Sequence, residues 1–164
     1  MQTFPQNVPV NMYEAFSYIG SVTNPSLDDL KLMVILEAAG KAMYDDLASG
    51  DSDPNVQAML LASGRDELTH AERVSAAIGK LTGTSYPVPA PEENPYLAGW
   101  VKPQLTAELA INLARTEFDG EALYEKWAKH CPNAEAAELF RLNGSEETNH
   151  GLRLEKIAEL LATR

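Results

Sequence analysis

Residues 64 to 73 read Gly-Arg-Asp-Glu-Leu-Thr-His-Ala-Glu-Arg, and residues 144 to 153 read Gly-Ser-Glu-Glu-Thr-Asn-His-Gly-Leu-Arg. Both stretches contain the pattern Glu-x-x-His, at residues 67–70 and at residues 147–150, which is an offset of 80 residues without a gap. Positions i and i+3 are neighbours on one face of a helix. Each stretch therefore predicts a helix that presents a carboxylate and an imidazole side by side.

The repeat extends upstream of both patterns. Glu37 and Glu117 are also 80 residues apart, and each lies 30 residues before the glutamate of the Glu-x-x-His pattern that follows it. A turn is expected midway in each half, at residues 50–54 and around Pro132. Residues equidistant from the turn of an antiparallel hairpin lie at one level. Each half is therefore expected to bring two glutamates and one histidine to the same height.

Caps and prolines define four long helices. Ser26 is expected to cap the first helix, with Asp29 at its third position, and the second helix is expected to end at Gly79. The proline-rich stretch from residue 80 to 103 cannot be helical for long, so it is expected to form a long crossover. The predicted helices cover residues 26–49, 54–78, 105–129 and 133–161.

The order of these elements predicts an all-α fold. No segment alternates in the manner of a strand, so the expected architecture is a four-helix bundle of two antiparallel pairs joined by the crossover. Residues 26–164 form this predicted domain, and residues 1–25 form an N-terminal extension with one short amphipathic stretch at residues 13–22.

If the two halves associate symmetrically, four carboxylates and two imidazoles converge. Carboxylates buried in a bundle lose their hydration, which costs several kcal/mol for each unpaired ion, and two divalent cations would cancel four such charges. Ligation by oxygen atoms with one imidazole per ion suits iron or manganese better than a thiolate-binding metal. The predicted ligands of this two-metal site are Glu37, Glu67, His70, Glu117, Glu147 and His150.

Other residues repeat around the predicted ligands. Asp66 and Glu146 each precede a Glu-x-x-His glutamate, and either could accept the second N–H of a ligand histidine across the site; a solvated helix face is the alternative. Tyr44 and Tyr124 follow Glu37 and Glu117 by two turns and either hydrogen-bond the site or pack in the core. Glycines 40, 64, 120 and 144 leave room for metal or for close helix packing, and arginines 73 and 153 are interpreted as surface or salt-bridge residues.

Charge and cysteine content exclude several functions. The chain has 13 basic and 24 acidic residues, a formal net charge of −11 that repels nucleic acids and anionic membranes. No apolar run is long enough to span a membrane, and no secretory signal is visible at the start. The single cysteine, Cys131, excludes an internal disulfide framework and a Cys-rich metal site. These features indicate a cytoplasmic protein. A metal-free scaffold would leave the convergence of six ligand-type residues unexplained.

The pattern Glu, Glu-x-x-His, crossover, Glu, Glu-x-x-His resembles that of the ferritin-like di-iron carboxylate superfamily, and is most similar to the rubrerythrin-type branch without a rubredoxin domain. The resemblance covers residues 26–162. It implies that Glu67 and Glu147 bridge two metals and that His70 and His150 each bind one. The remaining ligands, Glu37 and Glu117, would be terminal.

The sequence also departs from the usual rubrerythrin pattern. Rubrerythrins usually carry another glutamate one turn after the ligand of the third long helix, where this chain has Gly120 followed by Glu121. This makes the expected site more symmetric, as in bacterioferritin. The chain has no Cys-x-x-Cys pair for rubredoxin-type iron and no methionine in either Glu-x-x-His segment to bind haem. The short fifth helix that follows the fourth in cage ferritins is not expected within these 164 residues.

The resemblance implies a di-iron oxidoreductase that reduces peroxide or dioxygen, in oxidative stress or iron homeostasis. Electrons would come from an external donor protein, and a homodimer is expected because ferritin-like bundles commonly associate side by side. Three alternatives remain open: a ferroxidase that binds and stores iron, a di-metal oxygenase with an organic substrate, and a manganese enzyme with catalase-like activity.

Overall fold

Five α-helices and two short 3₁₀ turns form the regular structure of residues 3–164, which the computed structural model describes and which contain no β-strand. The bundle is therefore all-α, as the sequence predicts. The 3₁₀ turns are Pro91–Glu93 and Pro95–Leu97. The helices are α1 (Met12–Ser21), α2 (Leu27–Gly50), α3 (Pro54–Thr82), α4 (Ala107–His130) and α5 (Ala134–Ala162).

Side-chain caps fix where the long helices begin. Ser26 forms a capping box with Asp29 at the start of α2, which confirms that predicted N-cap. Thr106 and Asn133 cap α4 and α5, and each side chain accepts one bond from a backbone N–H of the first turn. These caps place each helix within about two residues of its predicted start.

The predicted end of the second helix is wrong. Helix α3 continues through Gly79 to Thr82, and its C-cap is Gly83, whose φ of +85° lies in the left-handed region. A glycine adopts this conformation without steric cost, so the second glycine ends the helix and the first does not. The connection to α4 consequently begins three residues later than predicted and contains both 3₁₀ turns.

The four long helices pack as two hairpins. Helix α2 packs along α3, α4 packs along α5, and the hairpins meet mainly through α3 and α5. Two apolar clusters fill the bundle. One contains Leu36, Val74 and Trp127, and the other contains Leu47, Leu60 and Leu154. The middle of the bundle, between the two clusters, is where the predicted ligands lie.

Helix α2 is covered on all sides over part of its length. Every residue from Leu32 to Ala39 is buried, whereas most repeat-related residues of α4, at positions 112–119, are not. The crossover forms the cover: the Asn94 side chain donates a 2.8 Å hydrogen bond to the backbone oxygen of Ile35. The crossover and N-terminal segment are also linked, since the Tyr96 hydroxyl donates a 2.5 Å bond to the backbone oxygen of Pro9. The repeated halves are therefore covered differently.

Helix length and hydropathy also bear on membrane insertion. Within residues 3–164, no helix combines the length and the apolar character that a membrane span requires.

Candidate metal centre

Each long helix contributes to one buried cluster at the middle of the bundle. His70 and His150 are fully buried, and Glu67 and Glu147 are nearly so. Glu37 on α2 has 7% of its side chain exposed and Glu117 on α4 has 15%. All six predicted ligands therefore come together where the hairpins dock.

The inward-facing Nδ1 atoms of the two histidines lie among the carboxylates. His150 Nδ1 is 3.1 Å from Glu67, 3.2 Å from Glu147 and 3.7 Å from Glu117. His70 Nδ1 is 3.3 Å from Glu147 and 3.8 Å from Glu37. Glu147 directs one oxygen toward each histidine, which is the arrangement expected of a bridging carboxylate. One ligand atom from each of Glu67, His70, Glu147 and His150 falls within 4.8 Å of the others.

Three atoms of the cluster have unsatisfied hydrogen-bonding capacity. His70 Nδ1, His150 Nδ1 and Glu147 Oε2 are buried and form no hydrogen bond with any other part of residues 3–164. An unsatisfied buried polar group costs about 1–3 kcal/mol. All three atoms face the same space and are of types that coordinate iron or manganese. The donor set therefore fits a pair of metal ions.

Without metal, several of the glutamates and histidines of this cluster have pKa values far from their usual range. Burial, with the neighbouring Glu37 and Glu117 carboxylates, raises the pKa of Glu67 well above its usual range. Burial likewise raises the pKa of Glu117 to about 7. Burial opposes a charge on His70, but the Glu147 and Glu37 carboxylates outweigh it and raise the pKa of His70 to about 11. Without metal, bound protons therefore reduce the negative charge of the cluster that divalent cations would otherwise neutralise.

The outward-facing nitrogen of each histidine meets a carboxylate from the opposite hairpin. His70 Nε2 lies 3.0 Å from Glu146, and His150 Nε2 lies 3.3 Å from Asp66. An ionised carboxylate only accepts a hydrogen bond, so each Nε2 carries a proton, and each Nδ1 is directed to the cluster. The structure thus places the predicted residues Asp66 and Glu146 beside the histidines; that they tune metal binding stays a prediction.

Two arginines extend these contacts outward. Arg73 pairs with Glu146 at 2.7 Å, and Arg153 pairs with Asp66 at 2.8 Å. The sequence interpretation of salt-bridge residues is thus right, but it missed that the arginines pair with the same two carboxylates that were expected to contact the histidines. The repeat contained a signal for this, since Arg73 and Arg153 each follow a Glu-x-x-His histidine by three residues.

The two tyrosines cross between the hairpins. The Tyr44 hydroxyl donates to Glu117, and the Tyr124 hydroxyl donates to Glu37. Both rings are buried, and burial raises the pKa of each phenol well above its usual range. The surroundings differ: Tyr124 packs against Trp127 and Phe140, with ring centroids 5.8 and 6.3 Å away. Glu37 and Glu117 each therefore accept a hydrogen bond from a phenol of the other half.

The glycines act in two ways. A Cβ at Gly40 would lie 3.0 Å from Glu67 Oε2, and one at Gly120 would lie 3.4 Å from Glu147 Cγ, so both positions make room for the central glutamates. A Cβ at Gly64 or Gly144 would lie 3.1 Å from the Cβ of Tyr44 or Tyr124, so these positions allow close helix packing. Glu121, next to Gly120, is exposed and accepts a 2.5 Å bond from Thr148.

A bundle whose four long helices direct glutamates and histidines into one buried cluster defines a class, the ferritin-like proteins with a carboxylate-rich metal centre. The chain belongs to the rubrerythrin family, whose model, described as Rubrerythrin, matches residues 28–158. This confirms the resemblance expected from the repeat. Family membership and the buried Glu/His cluster together support a di-iron protein. Comparisons with curated proteins and with solved structures give no significant match.

Proposed function

We propose that the protein is a di-iron oxidoreductase that reduces peroxide, or dioxygen, with electrons from an external donor protein. The observation that supports this most strongly is the cluster of three unsatisfied buried atoms, His70 Nδ1, His150 Nδ1 and Glu147 Oε2, at the junction of the hairpins. Such a donor set, in a protein of this family, is suited to two-electron chemistry.

The ligand roles follow the distances. We assign His70 and Glu37 to one metal position and His150 and Glu117 to the other, because each histidine Nδ1 lies within 3.8 Å of that glutamate. Glu147 would bridge the two positions, because it directs one oxygen toward each histidine. Glu67, whose carboxylate lies 3.1 Å from His150 Nδ1, is proposed as the second bridge from the family resemblance. When bound, the two iron ions supply one electron each and act as a Lewis acid and template.

The surrounding residues control protons and water. Reduction of hydrogen peroxide to two water molecules consumes two electrons and two protons. Tyr124 Oη holds a proton directed at Glu37, and Tyr44 Oη holds one directed at Glu117. The apolar clusters on both sides of the centre exclude bulk water, which strengthens electrostatic interactions within it.

The first test is metal content. On protein expressed with iron and manganese both supplied, we expect close to two iron atoms per chain by elemental analysis, and loss of metal when Glu67 and Glu147 are replaced by alanine. Glu72→Ala is the matched control because Glu72 lies on the same helix but is exposed. Two manganese atoms would favour catalase-like chemistry instead. Negligible metal, unchanged by reconstitution, would contradict the proposal.

The second test is reactivity. We expect the di-ferrous protein to be oxidised faster by hydrogen peroxide than by air, measured by stopped-flow absorbance, with the Glu72→Ala variant behaving as the parent does. A strong preference for air would favour a ferroxidase. Gel filtration with light scattering tests the proposed homodimer in the same preparation, and a large hollow assembly would favour iron storage.

A further inference from the structure

The two histidines of the proposed centre are supported differently, although they occupy repeat-related positions. On the His70 side, Glu146 accepts bonds from both terminal nitrogens of Arg73, at 2.7 and 3.1 Å. The same carboxylate lies 3.0 Å from His70 Nε2. A bidentate guanidinium–carboxylate pair fixes the orientation of the carboxylate as well as its position. The His70 ring therefore rests on a carboxylate that has little freedom to move.

Asn143 adds a second connection on that side. Its side chain is fully buried. Its Nδ2 donates a 3.2 Å bond to the backbone oxygen of His70, and its Oδ1 accepts a 3.3 Å bond from Arg73. Asn143 thus joins the His70 backbone and the arginine that holds Glu146, so both ends of His70 are tied to α5.

The outer support of His150, away from the carboxylate cluster, has fewer hydrogen bonds than that of His70. Asp66 lies 3.3 Å from His150 Nε2 and accepts from only one nitrogen of Arg153, at 2.8 Å. Ser63 occupies the position related to Asn143, and its hydroxyl accepts a 3.3 Å bond from Arg153. Serine and aspartate thus replace asparagine and glutamate at the two positions that contact the arginine.

Exposure differs in the same direction. Glu117, assigned to the His150 position, has 15% of its side chain exposed, against 7% for Glu37 at the His70 position. The outer face of α4 at residues 112–119 is more exposed than the related part of α2, which the crossover covers. The His150 position is therefore both less constrained and closer to solvent.

From these differences we infer that the two metal positions are inequivalent: the His70 position is preorganised and binds the first ion, and the His150 position binds the second and releases it more readily. The inference rests on the proposed dinuclear centre. Arg73, Glu146 and Asn143 are the positioning residues, acting through His70. Residues that orient a metal-binding histidine typically change metal affinity by about 10–100-fold.

The test uses two variants, each of which retains only one of the two metal positions. A single bound ion experiences no repulsion from a second one. Co²⁺ is titrated into metal-free His150→Ala, which keeps the His70 position, and into metal-free His70→Ala. The dissociation constant is followed by calorimetry and by the visible absorption of Co²⁺. We expect binding to be about tenfold tighter in His150→Ala. Equal affinities, or tighter binding in His70→Ala, would overturn the inference.

The repeat supplies matched exchanges. Adding Ser63→Asn and Asp66→Glu to His70→Ala gives the His150 position the residue types that support His70. This exchange should tighten Co²⁺ binding. Asn143→Ser with Glu146→Asp, added to His150→Ala, should weaken it by about tenfold. Circular dichroism and thermal unfolding without metal separate these effects from loss of folding. A purely structural role predicts changed unfolding with Co²⁺ affinity and absorption unchanged.

A measurement on the parent chain covers the case in which the single-histidine variants do not fold. With one equivalent of Co²⁺ in crystals of the full chain, the anomalous difference peak should lie beside His70. A peak of equal height beside His150 defeats the inference while leaving the dinuclear centre intact. Absence of metal from both positions defeats the proposed function itself, and the inference with it.

Discussion

Gly40 and Gly120 occupy related positions but leave different amounts of space. A Cβ added at Gly40 would lie 3.0 Å from a carboxylate oxygen of Glu67, whereas a Cβ added at Gly120 would lie 3.4 Å from Glu147 Cγ. We expect Gly40→Ala to displace Glu67 and to weaken metal binding by roughly tenfold. Gly120→Ala should retain binding, and alanine should stabilise the helix by about 0.5–1 kcal/mol.

The comparison needs metal titration and thermal unfolding of both variants without metal. The two substitutions are chemically identical and lie at equivalent levels of α2 and α4, so each is the control for the other. Equal loss of metal affinity in both variants would contradict the assignment of the tighter contact to Gly40.

Glu67 is expected to oppose folding when no metal is bound. Burial and the Glu37 and Glu117 carboxylates raise its pKa well above the usual range, so the folded state binds this proton more strongly than the unfolded state does. The contribution of protonated Glu67 to stability is therefore fully present below about pH 4.5, and it is lost as the pH rises toward the pKa of Glu67 in the folded state. Glu67→Gln should remove this loss, leaving the metal-free variant more stable than the parent by about 1–2 kcal/mol at pH 8.

Urea unfolding of the metal-free parent and variant between about pH 5 and pH 9 measures how the difference in their free energy of unfolding depends on pH. The exposed Glu72 of the same helix provides the control substitution, Glu72→Gln. The predicted signature is a stability difference that grows with pH. A difference that stays constant, or a variant less stable than the parent at pH 8, would be inconsistent with a strained carboxylate.

At the scale of the elements, the crossover stabilises α2 through one buried amide. Asn94 is 1% exposed, donates to the backbone oxygen of Ile35 and accepts a 3.0 Å bond from the backbone N–H of Tyr96. Asn94→Ala leaves these groups without partners and should lower the free energy of unfolding by about 1–3 kcal/mol. Urea unfolding tests this, with the exposed residue Glu92 as the site of a control alanine. Equal effects of the two substitutions would exclude a specific role for the amide.

The elements themselves could largely be predicted from the sequence. Ser26, Pro54 and Asn133 carry strong local signals for helix starts, and these signals act within one turn. The end of α3 could not be assigned between Gly79 and Gly83, because both are glycines and only the backbone conformation distinguishes them. Residues 32–36 of α2 are apolar on every side because the crossover covers the helix there. The crossover lies some 60 residues away in sequence, so the local sequence could not predict this contact.

At the scale of the whole molecule, the repeat predicted which residues converge but not how they pair. Glu37, Glu67 and His70 share a level because hairpin geometry fixes it. The contacts of the tyrosines with the glutamates of the other half, Tyr44 with Glu117 and Tyr124 with Glu37, depend on how the hairpins dock. Ser63 and Asn143 differ between the halves, so no repeat indicated that both contact an arginine.

Metal binding by the whole protein should release protons. Without metal, the carboxylates keep His70 protonated, with a pKa of about 11, and raise the pKa of His150 further still. Coordination through Nδ1 must displace one proton from each ring, so at least about two protons leave when both ions bind. Metal must compete with the His70 proton at every pH below the raised pKa of this residue. Metal affinity should therefore increase as the pH rises from about 6 to 9, a range that lies below that pKa.

Calorimetric titration in two buffers of different ionisation enthalpy counts the protons directly. His70→Ala provides the comparison, since it removes one of the two titrating rings and should reduce the count by about one. A proton count near zero, or an affinity that does not change with pH, would mean that the histidines are already neutral before metal binds.

The division of the ligands between two hairpins also determines when the centre can appear during folding. Contacts within α2–α3 or within α4–α5 are close in sequence and form quickly, whereas those between α3 and α5 join residues some 80 positions apart and require a long loop to close. Neither hairpin holds more than two glutamates and one histidine of the set. The complete ligand set therefore exists only after the hairpins dock, so the visible absorption of Co²⁺ during refolding would time the last step of assembly.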